Sequence, residues 1–554
     1  MTPQELSDII RAVLVDLQAN GLLPETAEIP AAIKVERPKN REHGDWATTV
    51  AMQLARSAHR NPRELAETIA QQLQHQAGIT EASVAGPGFV NLRVDAAAAA
   101  SILSDIVAAG SAYGQNDRLA GRSINLEFVS ANPTGPLHIG HTRWAALGDS
   151  IGRLLKASGA NVAEEYYIND AGAQMDRFGY SVLAAARGEA TPEGGYPGAY
   201  IQDLGKIALA ERPEIATLPP EQAMPIAREI GYRIQLGEIQ ESLRRFNVHF
   251  DVWFSERTLH APDASTGLSA IDRALERLRE QGNVYEKDDA TWVRTTRFGD
   301  DKDRVFVRAN DVPTYFAADA AYYLSKRERG FAELIYLLGA DHHGYVGRLK
   351  ALAAAAGDDP EKTLTVLIGQ LVNLNGAKLS KRAGNIIELN DLLDWIGADA
   401  LRYWLARFPA DSPLSLDGEA LRSQTSDNPV FYVQYAHART ANVSRNAQAA
   451  GITRDVFEPS TLTHPTEEAL IARLGQFTEI VGFAAELREP HRVARYLEQL
   501  AGDFHRWYDT CRVIPLSNGP VEDVHRTRLW LNDATGQVLR NGLSLLGVSA
   551  PERM

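Results

Sequence analysis

The stretch Ile124–Gly159, INLEFVSANPTGPLHIGHTRWAALGDSIGRLLKASG, decides the fold. Its first run, Ile124–Ser130, is rich in apolar residues and reads as a strand, and Asn132-Pro133-Thr134-Gly135-Pro136 is turn chemistry. From Thr142 onward, Trp144, Leu147, Ile151, Leu154 and Leu155 recur at helical spacing, with Arg143, Asp149, Arg153 and Lys156 off that stripe. Gly159 stands where a glycine ends a helix, and Glu164–Ile168 reads as a second strand. The unit is therefore strand–helix–strand, the building block of a parallel sheet. At its strand-to-helix turn lies His138-Ile139-Gly140-His141. Free N–H groups and the positive end of the helix dipole make such a turn an anion site. Gly140 leaves room for a bound group, and the two histidines, three apart, share a helical face from which both can donate to phosphate oxygens. Taken alone, the His-x-x-His pattern also fits a plain βα turn carrying two polar residues, or a metal pair.

With 554 residues, 44% apolar and 23% charged, the chain has the makeup of a multidomain globular protein. One cysteine, Cys511, excludes a disulfide framework and a Cys-based zinc cluster and suits a reducing cytosol. The opening residues MTPQELSDIIRAVL contain no apolar segment of signal type, and no apolar run approaches membrane-spanning length. A cytoplasmic location without a membrane partner is expected. A formal charge of −14 argues against a general nucleic-acid coat but leaves RNA binding open to local basic faces.

Residues 1–115 read as a first unit. Leu6, Ile9, Ile10, Val13, Leu14 and Leu17 mark one amphipathic helix and Trp46–Ala55 a second, while Asn61-Pro62 caps and opens a third, through about Gln74. Val84–Ala85 and Phe89–Val94 flank a Gly86-Pro87-Gly88 turn, and Ala96–Ala109 is an alanine-rich helix. After the strand–helix–strand unit, a helix begins at Ala171-Gly172-Ala173-Gln174, Gly188–Gly198 breaks the pattern, and helical periodicity resumes over Glu221–Phe246 and Leu268–Gln281. Val284–Glu286, Thr291–Thr295 and Val305–Arg308 alternate like a meander. The span 187–308 thus reads as an insertion between two halves of a doubly wound sheet, 116–186 and 309–398. In the second half Pro313-Thr314-Tyr315-Phe316 leads into a helix Ala317–Lys326. Strand Leu334–Leu338 ends in Gly339-Ala340-Asp341-His342-His343, and strand Leu364–Leu374 precedes Lys378-Leu379-Ser380-Lys381-Arg382. Ligands of open α/β sheets collect at the carboxyl ends of strands, so one cleft can gather these turns. From 399 to 554 the pattern is all-helical, and Arg488–Arg512 interleaves basic residues with Tyr496, Phe504, Trp507 and Tyr508. Core is the better reading for most of those aromatics.

His138-Ile139-Gly140-His141 resembles HIGH, the first signature of class I aminoacyl-tRNA synthetases, and Lys378–Arg382 resembles KMSKS, the second. Leu379 replaces the Met and Arg382 the last Ser, but both lysines remain. Gly339 and Asp341 fit the Gly-x-Asp that meets the ATP ribose in this class. Asp341-His342-His343 also matches the short signature of DHH phosphoesterases, but upstream no aspartate pair is spaced like their further metal ligands. Asp399-Ala400-Leu401-Arg402 resembles the name-giving motif of the DALR anticodon-binding domain. GDWATTVAMQLA, GPGFVNLRV, QYAHAR and GVSAPERM are similar to segments of arginyl-tRNA synthetases, and the likeness covers nearly the whole chain.

That resemblance implies an α/β fold: a Rossmann-type catalytic domain with an N-terminal α+β domain and a C-terminal all-α anticodon-binding bundle. It implies ligation of L-arginine to tRNA(Arg) through arginyl-adenylate, with ATP and its Mg2+, no protein-held metal, and a monomer. His138, His141, Lys378 and Lys381 would be catalytic, and Gly140, Gly339, Asp341 and Ser380 would hold ATP. Glu127, Asn132, Tyr315, Asp319 and His342 match arginine-binding positions, with Asp319 one helical turn from Tyr315. A guanidinium calls for carboxylate acceptors in a polar clamp. Two alternatives stay open: that Glu127 and Asp319 bind lysine, and that Asp319 caps its helix. Phe89 and Asn91 match the pair that reads a D-loop base of the tRNA elbow, and Tyr435 matches an anticodon contact. Phe89 as core and Asn91 as a strand-edge polar residue is the competing reading.

Overall fold

The computed structural model describes residues 3–38, 43–95, 100–339, 344–370, 372–375, 387–516 and 519–554. The N-terminal unit is built on four antiparallel strands, β1 (Val35–Glu36), β2 (Trp46–Thr48), β3 (Ile79–Ala85) and β4 (Phe89–Val94), in the order β1-β2-β4-β3. Helices Pro3–Ala19 and Pro62–Leu73 cover this sheet, and Leu6, Ile10, Leu14, Leu65, Ile69, Val90 and Leu92 close a core of its own. Asn61 caps the second of these helices, its side chain accepting the Arg63 N–H at 2.9 Å, with Pro62 in the first turn. The helix expected over Trp46–Ala55 is shorter, Val50–Leu54. Trp46 and Thr48 are buried in alternation and pair with Leu92 and Val90, so strand pairing wins over the helical pattern. Of the expected Ala96–Ala109 helix the described part is Ile102–Ala109, with 96–99 outside the described residues.

Strands β5 (Ser123–Glu127), β6 (Asn161–Ile168) and β7 (Val252–Ser255) follow, then a three-stranded antiparallel meander β8 (Val284–Lys287), β9 (Ala290–Val293) and β10 (Arg304–Val307). β11 (Glu333–Gly339) and β12 (Leu364–Gly369) complete the central sheet, while β13 (Val372–Asn375) and β14 (Leu414–Asp417) pair apart from it. The central sheet has the order β12-β11-β5-β6-β7 and is parallel throughout. Strand order therefore reverses between β5 and β11, and the crevice for ligands lies at their carboxyl ends.

Three expectations change. The first strand stops at Glu127, because Val129 (φ 68°) and Ser130 (φ 46°) turn into the left-handed region. Leu364–Leu374 is two strands: a Cβ at Gly369 would lie 1.3 Å from the Trp144 ring, so that ring occupies the space beside the end of β12. The span 187–308 is not uniformly an insertion, because β7 within it is the edge strand beside β6. Outside β7 the span carries the helices Ala199–Glu211 and Pro220–Arg245, which pack with Ala173–Arg187 around their own core, and the meander.

The helix Ile139–Ala157 joins β5 to β6 and is buried along nearly all its length. The sheet covers it on one side and helices Ala398–Ala406 and Phe477–Leu487 on the other. Arg143 and Asp149, expected on a polar face, are each 1% exposed. Arg143 donates to the carbonyls of Gln370 (3.2 Å), Pro409 (2.7 Å) and Ser412 (2.7 Å). Asp149 pairs with Arg153 and with Arg402, which is fully buried. Arg402 also donates to the carbonyls of Leu546, Phe246 and Asn247, each at 3.0 Å. Asp399, three residues earlier, accepts from Gln434 (2.8 Å) and from the Ser549 N–H (3.0 Å). One apolar core consequently runs from the sheet into the C-terminal helices, from Ala100 to Val548.

Burial opposes the charge on Asp149, yet the guanidinium groups of Arg402 and Arg153 hold its carboxyl below the ordinary 3.8. Asp149→Asn strands a buried guanidinium with carbonyl partners only, a loss of about 3–5 kcal/mol. Because the folded pKa is depressed, the aspartate's contribution is present above pH 3.8 and is lost in acid. Thermal melts of wild type and Asp149→Asn should differ at pH 7 and converge on acidification; equal melts at pH 7 would remove the pair from the fold's stability.

Candidate active site

His138 is the N-cap of the helix Ile139–Ala157. Its Nδ1 accepts the Gly140 N–H at 3.1 Å, and His141 Nδ1 accepts the His138 N–H at 3.2 Å. With both Nδ1 atoms acting as acceptors, each neutral ring carries its proton on Nε2. Burial lowers both pKa values, that of His141 to about 3 with the neighbouring His138 contributing. At neutral pH the pair is therefore two uncharged Nε2–H donors with ring centroids 4.0 Å apart. A Cβ on Gly140 would lie 2.9 Å from His138 Cε1, so the glycine first of all clears the histidine's own ring.

The turn is clamped from the far side of the chain. Ile139 N–H donates to the Ile387 carbonyl (2.9 Å), Leu389 N–H donates to the Leu137 carbonyl (2.8 Å), and His138 bridges Glu388. The segment that follows 386 is thus laid against the first signature. Lys378, Ser380, Lys381, Asp341 and His342 lie outside the described residues. Gly339 is the last residue of β11, whose Tyr336 pairs with Glu127 of β5.

Three carboxylates lie towards this end of the sheet, and Asp319 feels the charge of the other two. Glu127 ends β5 at 7% exposure, Glu256 follows β7 at 6%, and Asp319 sits half-buried on the helix Tyr315–Glu328. Thr314 caps that helix by accepting the Ala317 N–H, which leaves Asp319 without the capping role. The Tyr345 hydroxyl stands beside Asp319 and the Tyr167 hydroxyl beside Glu256, each lowering the carboxyl's pKa. Burial pushes the Asp319 carboxyl up to about 7; Glu256 and Glu127 add to the rise, while Tyr345 and Arg348 oppose it. Burial, then the charge of Asp170, also raises Glu256. Glu127 is already engaged: Lys326 pairs with its Oε2, and the Ser130 hydroxyl donates to its Oε1 at 3.1 Å. Asn132 donates to Gln174, and Tyr315 stands 67% exposed. Sequence reasoning missed Glu256. Its signal was a carboxylate directly after a short apolar run, Val252–Ser255, which is a strand only by virtue of pairing with β6.

The expected tRNA contacts lie away from this pocket. Phe89 is 39% exposed, which removes it from the core, whereas Asn91 is 6% exposed and pairs within the sheet. Tyr435 is exposed on the helix Pro429–Ala449, where Arg439 donates to its hydroxyl at 2.8 Å and lies over both its ring and that of Tyr508. A cavity of about 550 Å³ opens there among Tyr435, Arg439, Asn442, Arg445, Tyr508 and Arg553. Tyr496, Phe504 and Trp507 are core, as expected, and Tyr508 is not. Among the described residues no group of three or more His, Cys, Asp or Glu converges as for a metal ion, and no helix is long and apolar enough to cross a membrane.

Comparison with known proteins follows the same division. Residues 4–94 match the arginyl tRNA synthetase N-terminal domain, 102–208 and 228–403 the catalytic domain of class I (R) tRNA synthetases, and 433–554 the DALR anticodon-binding domain. The chain is 62% identical to an arginine–tRNA ligase of Renibacterium salmoninarum and 61% identical to one of Paenarthrobacter aurescens, each over 100% of both chains. The solved arginyl-tRNA synthetase of Thermus thermophilus shares the fold at a TM-score of 0.71, with 22% identity and 100% of both chains covered. With three matching domains in order and full-length relatives above 60% identity, this chain belongs to the class I arginyl-tRNA synthetases.

Proposed function

We propose that the histidine turn and the neighbouring three-carboxylate pocket together attach L-arginine to tRNA(Arg) at the expense of ATP. The observation that carries this reading is that the helix presenting two uncharged donors, His138 and His141, follows the strand β5 that ends in Glu127, which together with Glu256 acts on the Asp319 carboxyl. The arginine carboxylate attacks the α-phosphorus of ATP in line, and pyrophosphate leaves. The 2′-hydroxyl of the terminal adenosine then attacks the carbonyl carbon of arginyl-adenylate, and AMP departs. Little covalent chemistry falls to the protein; it holds the reactants in line and stabilises charge.

His138 and His141 donate Nε2–H to phosphate oxygens as negative charge shifts there. Neutral donors serve well, since they need no proton uptake to bind a polyanion. Lys378 and Lys381 hold the departing pyrophosphate, Gly140, Gly339, Asp341 and Ser380 bound the nucleotide, and Mg2+ enters on the ATP phosphates. Asp319 and Glu256 accept the guanidinium, whose planar fork suits carboxylate oxygens. Glu127, Asn132 and His342 serve the α-amino end, and Tyr315 covers the mouth. Phe89, with Asn91 behind it, meets an unpaired base of the tRNA elbow, and Tyr435 with Arg439 stacks on the anticodon loop. The enzyme acts as a cytoplasmic monomer.

Amino-acid-dependent ATP–pyrophosphate exchange, run with each amino acid and with or without tRNA, tests the assignment: arginine should be activated, and preference for lysine would overturn it. Asp319→Asn keeps shape and removes charge, so kcat/KM for arginine should fall by roughly 30-fold or more while ATP affinity holds. The same substitution should stabilise the free enzyme. A carboxyl raised to about 7 binds its proton more tightly when folded, so its stabilising effect is present below pH 3.8 and lost as pH rises to 7. The melting-temperature gain of Asp319→Asn should accordingly grow over that interval and then level off; no gain at pH 8 would contradict the raised pKa.

Phe89→Ala should weaken tRNA binding by about 1–3 kcal/mol through lost stacking, with little change in melting temperature because the ring is not core. Unchanged tRNA affinity would remove Phe89 from the interface.

A further inference from the structure

Beneath the acidic pocket lies an ammonium group with no route to solvent. Lys326, on the helix Tyr315–Glu328, is 0% exposed. Its Nζ pairs with Glu127 and lies 4.2 Å and 3.9 Å from the ring centroids of Tyr322 and Tyr336. The adjacent buried carboxylate, Glu165, has other partners: it accepts from the Tyr322 hydroxyl (2.6 Å), from Asn125 (3.0 Å) and from Arg329. Lys326 is therefore committed to Glu127. A fully buried ion pair is weak evidence for stability, since apolar residues of similar volume often serve as well or better. The pair calls for a different reason, and the pocket above it supplies one. Three carboxylates share that pocket, and like charges at close range cannot all stay ionised without compensation.

We propose that Lys326 is a positioning residue for arginine recognition: it holds the Glu127 carboxylate in one rotamer and supplies the counter-charge that lets three carboxylates share one site. This rests on the assignment of that pocket to arginine. Glu127 is strapped at both oxygens, by Lys326 on Oε2 and by the Ser130 hydroxyl on Oε1. A carboxylate held at both oxygens still has lone pairs for an incoming ammonium. Lys326 thus separates the two ends of the pocket: Asp319 and Glu256 for the side chain, Glu127 for the α-amino group. The groups facing Lys326 are Glu127 from β5, Glu165 from β6, Tyr336 from β11, Tyr322 from its own helix and Arg329 at that helix's C-cap. Those facing Asp319 are Glu127, Glu256, Tyr167, Tyr336, Tyr345 and Arg348. Without the lysine, the charge on Glu127 acts undiminished on Asp319, whose proton is then released only at higher pH.

The test is arginine-dependent ATP–pyrophosphate exchange with full-length enzyme and tRNA between pH 6 and 8.5, comparing wild type with Lys326→Met, Lys326→Arg and Ser130→Ala. Lys326→Met should raise KM for arginine about tenfold or more, the effect of losing one charge-assisted contact, with KM for ATP unchanged. The acid limb of the arginine KM profile should move to higher pH, and Lys326→Arg should restore both towards wild type. A Lys326→Met enzyme with a lower melting temperature but a wild-type arginine KM and pH profile would overturn the proposal. If that variant does not fold, Ser130→Ala decides, since it loosens the other strap: about a threefold rise in arginine KM supports the inference, and no change overturns it. A wild-type chain inert to arginine would instead sink the parent assignment, and this inference with it.

Discussion

The buried pair between Asp149 and Arg402 is the constraint on which the rest of the molecule hangs. Asp149 belongs to the helix whose N-terminus presents His138 and His141, and Arg402 to the Asp399–Arg402 segment at the start of the C-terminal helices. Arg402 gathers three carbonyls as well, from Phe246, Asn247 and Leu546, so four chain segments meet at one guanidinium. The histidine turn is therefore held by the C-terminal helices as well as by the sheet. Arg143, one turn into the same helix, repeats the arrangement with the carbonyls of Gln370, Pro409 and Ser412. Guanidinium groups suit this work, because a planar fork can satisfy several carbonyls while remaining charged in any accessible pH.

The active-site end of the molecule shows the opposite economy of charge. Burial raises the Asp319 carboxyl there to about 7, and the charges of Glu256 and Glu127 add to the rise. Such a site is destabilising when empty and is relieved by a bound cation. Under the arginine assignment proposed above, affinity for the guanidinium draws partly on that unfavourable charge, which sets function against stability at these positions. The histidine turn works differently: its two rings are neutral, their Nδ1 atoms accept backbone N–H groups, and Ile387–Leu389 clamps it.

Much of this was legible in the residues. The strand–helix–strand unit, the capped helix at Asn61-Pro62, the Phe89–Val94 strand, the meander after Gly282 and the all-helical C-terminal region follow from local periodicity and turn chemistry. What was not legible depended on pairing across long separations. Val252–Ser255 carries too few residues to declare itself a strand, and only β6 beside it makes it one, so Glu256 was missed with it. Arg143 and Asp149 looked like solvent-facing positions because the sequence of one helix does not say that another domain covers its outer face. Trp46–Thr48 has a helical pattern of apolar residues that strand pairing with Val90–Leu92 overrides. Lys326, finally, reads as a charged residue near a helix end, yet it is sealed, because its partner lies 199 residues away.

The turn after β5 shows how local strain serves the pocket. Val129 and Ser130 both hold positive φ, a conformation that costs of order 1–3 kcal/mol at a non-glycine residue and survives only where neighbours enforce it. The enforcement is visible. The buried Tyr166 hydroxyl accepts the Ala131 N–H at 3.1 Å and donates to the Ala131 carbonyl at 2.9 Å, pinning the residue that follows. Ser130 Oγ accepts the Tyr167 N–H at 3.1 Å and donates to Glu127. A regular continuation of β5 would carry the Ser130 hydroxyl away from Glu127, and that carboxylate would lose one of its two straps. The left-handed turn brings the hydroxyl back, so the ends of β5 and β6 and the carboxylate between them form one hydrogen-bonded unit. Strain in two residues is the means by which a parallel sheet, whose strands otherwise run straight out into the crevice, holds an acidic side chain still at the carboxyl end of its central strand.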